Sequence, residues 1–411
     1  MGSYIRLDIG KLEVDWGKNS HFCDHSPLFR PSDVKEIPYS YAYDVVIEQE
    51  GYSRKLSGIS RRLDLLGYDY VSAESIYKRA ALEYTDSGFS ITLPFEAYRN
   101  AVKKIDISNP DMSKMENVDF SDRKDLGLYV AKCVLEQPEI KNLPCAEVIS
   151  EREVCGTPRI AAEYFLQCLD PYIILRLLAD NPANADVELY WYYYDVVHNG
   201  WVDREQIVKE LDPEKKVLLV TEGTSDTLVL RKSIEELYPD ISDFFDFIEV
   251  TEKFPFTGTG NLYNFCVALC QIKIQNKVMV VFDNDTAGIE KYRKALELTR
   301  PDSFMITRLP DHADFSEFPT IGPHGESIDD INGRAVAIEC FLDLCSTEFL
   351  PRVRWGSYNK GERKYQGELE QKDEYVQVFK STDLTSGKYN TAKLRYLIDW
   401  LIDEWIKRTN G

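Results

Sequence analysis

The chain has 411 residues, a length that suggests two or three domains. Hydrophobic residues make up 44% and charged residues 29%, which gives real cores and excludes a disordered, fibrous or small disulfide-stapled protein. With 49 Lys and Arg against 69 Asp and Glu, the formal net charge of −20 excludes a polybasic coat for phosphate, though not an enzyme that meets nucleic acid through bound metal.

The opening residues MGSYIRLDIG alternate apolar and charged side chains and lack the apolar core of a signal peptide. Residues 1–90 read as an α+β module. YIRLDI and LEVDW flank Gly10-Lys11 as an antiparallel hairpin, and a helix follows with Leu56, Ile59, Leu63 and Leu66 on one stripe. Gly67 is its expected stop, and the next helix is expected from Ser72.

Residues 91–212 read as mainly helical. Thr157-Pro158 and Asp170-Pro171 each set a capping residue before a proline at the first helical position, while Pro138 and Pro182 end the helices before them. The run ELYWYYYDVVHNGW could stack bases, but a buried helix or strand is the expectation.

Residues 213–330 alternate short apolar runs with helical stripes. KVLLV, FIEV, KVMVVF and FMITRL read as strands, PFTGTGN as a loop, and LYNFCVALCQI and AGIEKYRKALEL as helices. That alternation implies a parallel sheet flanked by helices in the C-terminal half. Residues 331–411 read as a helical extension closing on Leu394, Leu397, Ile398, Leu401 and Trp405.

Carboxylates collect where these strands end. VLLVTEGTSD puts Glu222 just past one strand and Asp226 in the first turn of the next helix; VMVVFDNDTAG puts Asp283 and Asp285 at the end of another. Ligands of open parallel α/β sheets bind outside the carboxyl ends of the strands. Residues two apart on a strand share a face, so Asp283 and Asp285 can converge on one ion, with Gly223 and Gly288 allowing tight turns. Gathered carboxylates repel one another unless a divalent cation resolves them, and hard oxygen donors select Mg²⁺ or Mn²⁺. Taken singly, these residues could equally be helix caps and a polar turn.

EGTSD and DNDTAG, each after an apolar strand, resemble the glutamate and DxD motifs of the Toprim domain, over residues of about 214 to 310. The resemblance implies Glu222 as the proton-transfer residue and Asp283 and Asp285 as Mg²⁺ ligands, with Asp226 beside them. MGSYIRLDIGKLEVDW together with GYSRKLSGISRRLDLLGY is similar to a module found beside HEPN or Toprim domains in bacterial proteins suspected of antiviral defence. None of the five histidines has the arginine spacing of HEPN ribonucleases, so the Toprim-type arrangement is expected. No GxxxxGK[ST] loop occurs, so an ATPase would be a separate partner.

Asp311, Asp314 and Glu339 are further candidates for a second metal or for support of the first, against the alternative of a solvated acidic loop. In RVRWGSYNKGERK, Arg352, Arg354, Lys360, Arg363 and Lys364 surround Trp355 and Tyr358, a pattern that can hold phosphate and stack a base or merely form a solvated face. His21, Cys23 and His25 could touch a metal, but nothing elsewhere completes the set.

The nine cysteines form no CxxC pair, which fits a reducing cytoplasm, and no apolar run is long enough to span a membrane. The expectation is a cytoplasmic Mg²⁺- or Mn²⁺-dependent nuclease acting on DNA or RNA, an antiphage effector by resemblance. The alternative is a non-catalytic nucleic-acid-binding or regulatory protein. A sensor partner and a homo-oligomer stay open.

Overall fold

A computed structural model describes residues 2–41, 45–115, 125–149, 156–248 and 258–409. The chain divides into two compact units, Met1–Leu211 and Asp212–Gly411.

In the first unit the N-terminal alternation builds β1 (Tyr4–Ile9) and β2 (Leu12–Lys18), paired antiparallel across Gly10-Lys11, with Gly10 at φ 56. With β3 (Val34–Tyr41), β4 (Val45–Lys55) and β5 (Glu188–Tyr192) they form an antiparallel sheet of order β2-β1-β5-β4-β3. The central strand is the aromatic run. Trp191 is buried, with its ring stacked on Tyr52 at 5.8 Å and on Phe29 at 6.3 Å, so these rings are core. Residues 91–212 are mainly helical, as read, but they also supply the middle strand of a sheet begun at residue 4.

Helices α1 (Leu56–Leu63), α2 (Tyr70–Glu83), α3 (Asp125–Glu136), α4 (Pro158–Gln167) and α5 (Pro171–Leu178) surround the sheet's apolar face. Leu56, Ile59 and Leu63 are fully buried, and Gly67 closes the stretch after α1 with φ 93. Helix α2 begins at Tyr70, two residues before the expected Ser72, and its cap is Asp69, whose carboxylate accepts the Val71 N–H at 3.0 Å. Thr157 and Asp170 cap α4 and α5, as their pairing with proline implied. One continuous core runs from Ile5 to Ile207.

The second unit opens on β6 (Val217–Val220), followed by α6 (Thr224–Leu237). Then come β7 (Phe245–Phe247), α7 (Thr259–Gln271) and β8 (Lys277–Phe282). A two-residue β9 (Asn284–Asp285) leads into α8 (Thr286–Leu296) and β10 (Phe304–Arg308). The strands β10-β8-β6-β7 pair in that order, all parallel, in a mixed α/β unit. The second strand begins earlier than FIEV suggested; residues 249–250 of FIEV and 255–257 of PFTGTGN lie outside the described residues. Val278, Val280 and Phe282 of β8 pack with Leu262 and Cys266 of α7 and Ala295 of α8. Helix α6 packs against the C-terminal helix instead.

Residues 331–411 are not only helical. After β11 (Phe318–Gly322) and β12 (Gly325–Asp329) come β13 (Ala335–Val336), β14 (Val353–Asn359) and β15 (Lys364–Leu369). Only then follow α9 (Lys372–Ser381) and α10 (Ala392–Thr409). A second sheet has order β12-β11-β14-β15, while β9 pairs antiparallel with β13. These strands escaped the sequence reading because β12 is exposed along its length and the hairpin β14–β15 buries only a few positions near its base, Val353, Gly367 and Leu369, which weakens the period-two signal.

Candidate active site

Past β6 the chain runs Thr221-Glu222-Gly223 into α6. Asp226, at the third helical position, accepts the Gly223 N–H at 2.8 Å, so its carboxylate does cap the helix. Gly223 itself is extended (φ −139, ψ 168), a conformation any residue takes, which removes the tight-turn role expected for it.

Past β8, Asp283 lies at the strand's end. Asp285 caps α8, its Oδ1 accepting the Gly288 N–H at 2.7 Å. Here glycine is required: a Cβ on residue 288 would lie 2.2 Å from the Asp283 carbonyl oxygen. Glu222 joins the two strand ends, for its Oε1 accepts the Asp283 N–H at 3.2 Å and its Oε2 the Thr259 hydroxyl at 2.8 Å.

Glu339 arrives from the stretch after β13, buried beside Asp226. Asp283 is thus within electrostatic reach of Asp226, Glu222, Asp285 and Glu339, and burial plus these four neighbours holds its carboxyl well above the usual range. Asp226 is pushed up to about 7, first by burial and then by Glu339 and Glu222. Burial also raises Glu222, against the pull of the Thr259 hydroxyl and the Asp283 N–H. It raises Asp285 against the Gly288 N–H and Gln366, and Glu339 against nearby Lys372.

Of these groups Asp283, Asp285 and Glu339 line a cleft of about 680 Å³, together with Arg354, Gln366 and Lys372; Glu222 and Asp226 are not among its lining residues. The two cations of the wall are already answered, Lys372 by Glu368 and Arg354 by Glu370. The Asp283 carboxylate has no hydrogen-bond or ion-pair partner among the described residues. Nor, among them, do three His, Cys, Asp or Glu side chains already stand in a coordinating arrangement.

Other candidates fall elsewhere. Asp311 takes the Asn284 amide at 2.7 Å and Arg308 at 3.0 Å, which hold its carboxyl below the ordinary value and outside the cluster. Asp314 is exposed beside His312. Arg352 and Arg354 share Glu370, while Lys360, Arg363 and Lys364 sit exposed at the tip of the β14–β15 hairpin. Trp355 is committed: its indole N–H donates to Asp329 at 3.0 Å, and the Arg334 guanidinium covers the ring at 4.0 Å. His25 spends both ring nitrogens inside the first unit, on Asp15 at 3.0 Å and Tyr172 at 2.8 Å, so the set with His21 and Cys23 is not a metal site.

Nothing in the sequence singled out Gln366, a lone amide on a polar strand. Its Nε2 donates to Asp285 Oδ2, and its Oε1 accepts the Thr286 hydroxyl and the Ala287 N–H, the latter at 3.2 Å. It thereby fixes the plane of the Asp285 carboxylate from β15.

A family model described as HEPN/Toprim N-terminal domain 1 matches residues 1–215. No curated protein and no solved structure matches the chain. The carboxylate cleft lies beyond the matched residues.

Proposed function

The chain belongs to the HEPN/Toprim N-terminal domain 1 family, and from that membership and the carboxylate cleft we propose that its second unit is a Toprim-type, metal-dependent nuclease. One observation carries the reading: Asp283 faces the cleft without a partner while four other carboxylates crowd it. A structural acid of this kind would be expected to hold a cation or a set of N–H donors.

The donor set fits a hard divalent ion, because it is all carboxylate oxygen and its members are raised by burial and mutual repulsion. Asp283 and Asp285 would hold Mg²⁺ or Mn²⁺, with Asp226 beside them. When bound, such an ion neutralises charge on the phosphodiester and stabilises the leaving oxygen.

The chain's own residues do the remainder. Glu222 is raised by burial yet tied to the Asp283 N–H and the Thr259 hydroxyl, so it can hold a proton one hydrogen bond away from Asp283, which lines the cleft. Gln366 and the Gly288 N–H orient Asp285, and the close start of α8 over Asp283 keeps the two aspartates on neighbouring backbone. The family's module in front of this unit supports a role in antiphage defence, with a sensor or a separate ATPase as the partner that releases activity.

The test is incubation of the purified protein with Mn²⁺ or Mg²⁺ and plasmid, single-stranded DNA, tRNA and total RNA, beside Glu222→Gln. Cleavage lost in the variant supports the nuclease and names its substrate. Cleavage retained in Glu222→Gln overturns the assignment of the proton-transfer residue, and a protein that neither cleaves nor binds metal is a binding module.

A further inference from the structure

We infer that the tip of the β14–β15 hairpin is the docking surface for single-stranded nucleic acid, which rests on the nuclease reading and specifies its substrate.

Two observations meet there. Tyr358 pairs directly across the hairpin with Tyr365, their ring centroids 5.2 Å apart at 72°. The residues are 50% and 47% exposed, so neither ring belongs to a core, and each leaves apolar face open to solvent. Between them Lys360 and Arg363 project from the turn, exposed, and among the described residues neither side chain has an ion-pair or hydrogen-bond partner; Lys364, also exposed, is within electrostatic reach of Asp311. The arginines lower on the hairpin are neutralised by Glu370, and Glu362 of the turn is taken by Arg293 at 2.7 Å. In a chain of net charge −20, three cations within five residues, against the single acid Glu362 that Arg293 already holds, reverse the local sign. Arg363 also takes the left-handed backbone (φ 54) that glycine or asparagine adopts at less cost, so the turn holds a guanidinium where its geometry favours a smaller side chain.

Base faces and phosphates together match this surface. A duplex hides its base faces in its own stack, whereas an unpaired strand offers a face to each tyrosine and its backbone to the cations. The tip is also continuous with the cleft. Lys364 and Gln366 share one face of β15 about 7 Å apart along the strand, with Gln366 touching Asp285, while Tyr365 between them and its partner Tyr358 stand on the other face. A phosphate backbone held at Lys364 is thereby led toward Asp283, its bases turned to the tyrosines across the hairpin edge.

The experiment is fluorescence anisotropy on the full chain in EDTA, where cleavage does not intervene. The probes are labelled oligo-dT and oligo-U of about twenty nucleotides and a duplex of equal length. The paired change Tyr358→Ala with Tyr365→Ala should weaken single-strand binding about tenfold or more and leave duplex binding unchanged. The paired change Lys360→Glu with Arg363→Glu should weaken both and flatten the salt dependence. All four positions are exposed, and melting curves confirm that each variant folds. Single-strand binding at wild-type strength in the tyrosine variant, together with intact Mn²⁺-dependent cleavage, overturns this surface and leaves the nuclease standing. A wild type that neither binds nor cleaves any strand sinks the nuclease reading and this surface with it.

Discussion

In the first unit buried charge meets its answer, and in the second it does not. Arg62, wholly buried, donates to the Pro27 and Phe29 carbonyls, and Arg54 meets Asp33 at 3.0 Å. Arg176 lies between Asp64 at 2.6 Å and Asp180 at 2.9 Å, its guanidinium over the Tyr70 ring. Even Asp8, which burial pushes up to about 7, has Arg6 at 2.9 Å. Around Asp283, by contrast, Glu222, Asp226, Asp285 and Glu339 share a few N–H, hydroxyl and amide donors, and the cleft's cations Lys372 and Arg354 already serve Glu368 and Glu370. Buried charge matched within its own unit specifies a fold, whereas buried charge left over points to a ligand.

The contrast can be broken at several points. The largest effect should come from Glu222→Gln, which keeps the shape and removes the titration: cleavage should fall by a factor of about 10² to 10⁴, with the melting temperature held or raised. A wild-type rate would place proton transfer elsewhere.

In the first unit the same kind of deletion should act on stability instead. Arg176→Leu leaves Asp64 and Asp180 buried without their cation, at a cost of about 3–5 kcal/mol in urea unfolding. A loss under about 1 kcal/mol would show that matched charge is not what holds this unit.

The pH dependence sharpens the comparison further. A carboxyl raised in the folded state favours folding when protonated, so its contribution is full below the unfolded value near 4 and is lost as pH rises through the folded value. For Asp226 that window runs from about 4 to about 7. The metal-free protein should melt several degrees lower at pH 8 than at pH 5. Asp226→Asn should reduce that difference while the part due to Asp8 remains. An unchanged profile would mean the cluster is not under electrostatic load.

The smallest effect expected is at Gln366. Gln366→Leu removes the amide that orients Asp285, and Mn²⁺ affinity by calorimetry should weaken about tenfold with little change in metal-free melting.

Much of this was legible in the sequence where chemistry is local. Asp170-Pro171 and Thr157-Pro158 carry their own capping geometry, and apolar runs ending in Glu222 and Asp283 announce the open end of a parallel sheet. What escaped depends on distant pairing. The aromatic run at Glu188–Tyr192 could be read as a buried helix or a strand, because the partners that decide it, β1 and β4, lie more than a hundred residues earlier. Glu339 was one acid among several until β13 paired with β9 and carried it to Asp226. Gln366 had no signal at all, since an amide that satisfies one carboxylate and one helix start looks like any surface glutamine.

The most direct test of the central claim is a calorimetric titration of Mn²⁺ into the metal-free full-length protein and into Asp283→Ala. Saturable binding in the wild type that is lost in Asp283→Ala is the result predicted. No binding, or equal binding in both, would contradict it: the unanswered carboxylates would then not form a metal centre.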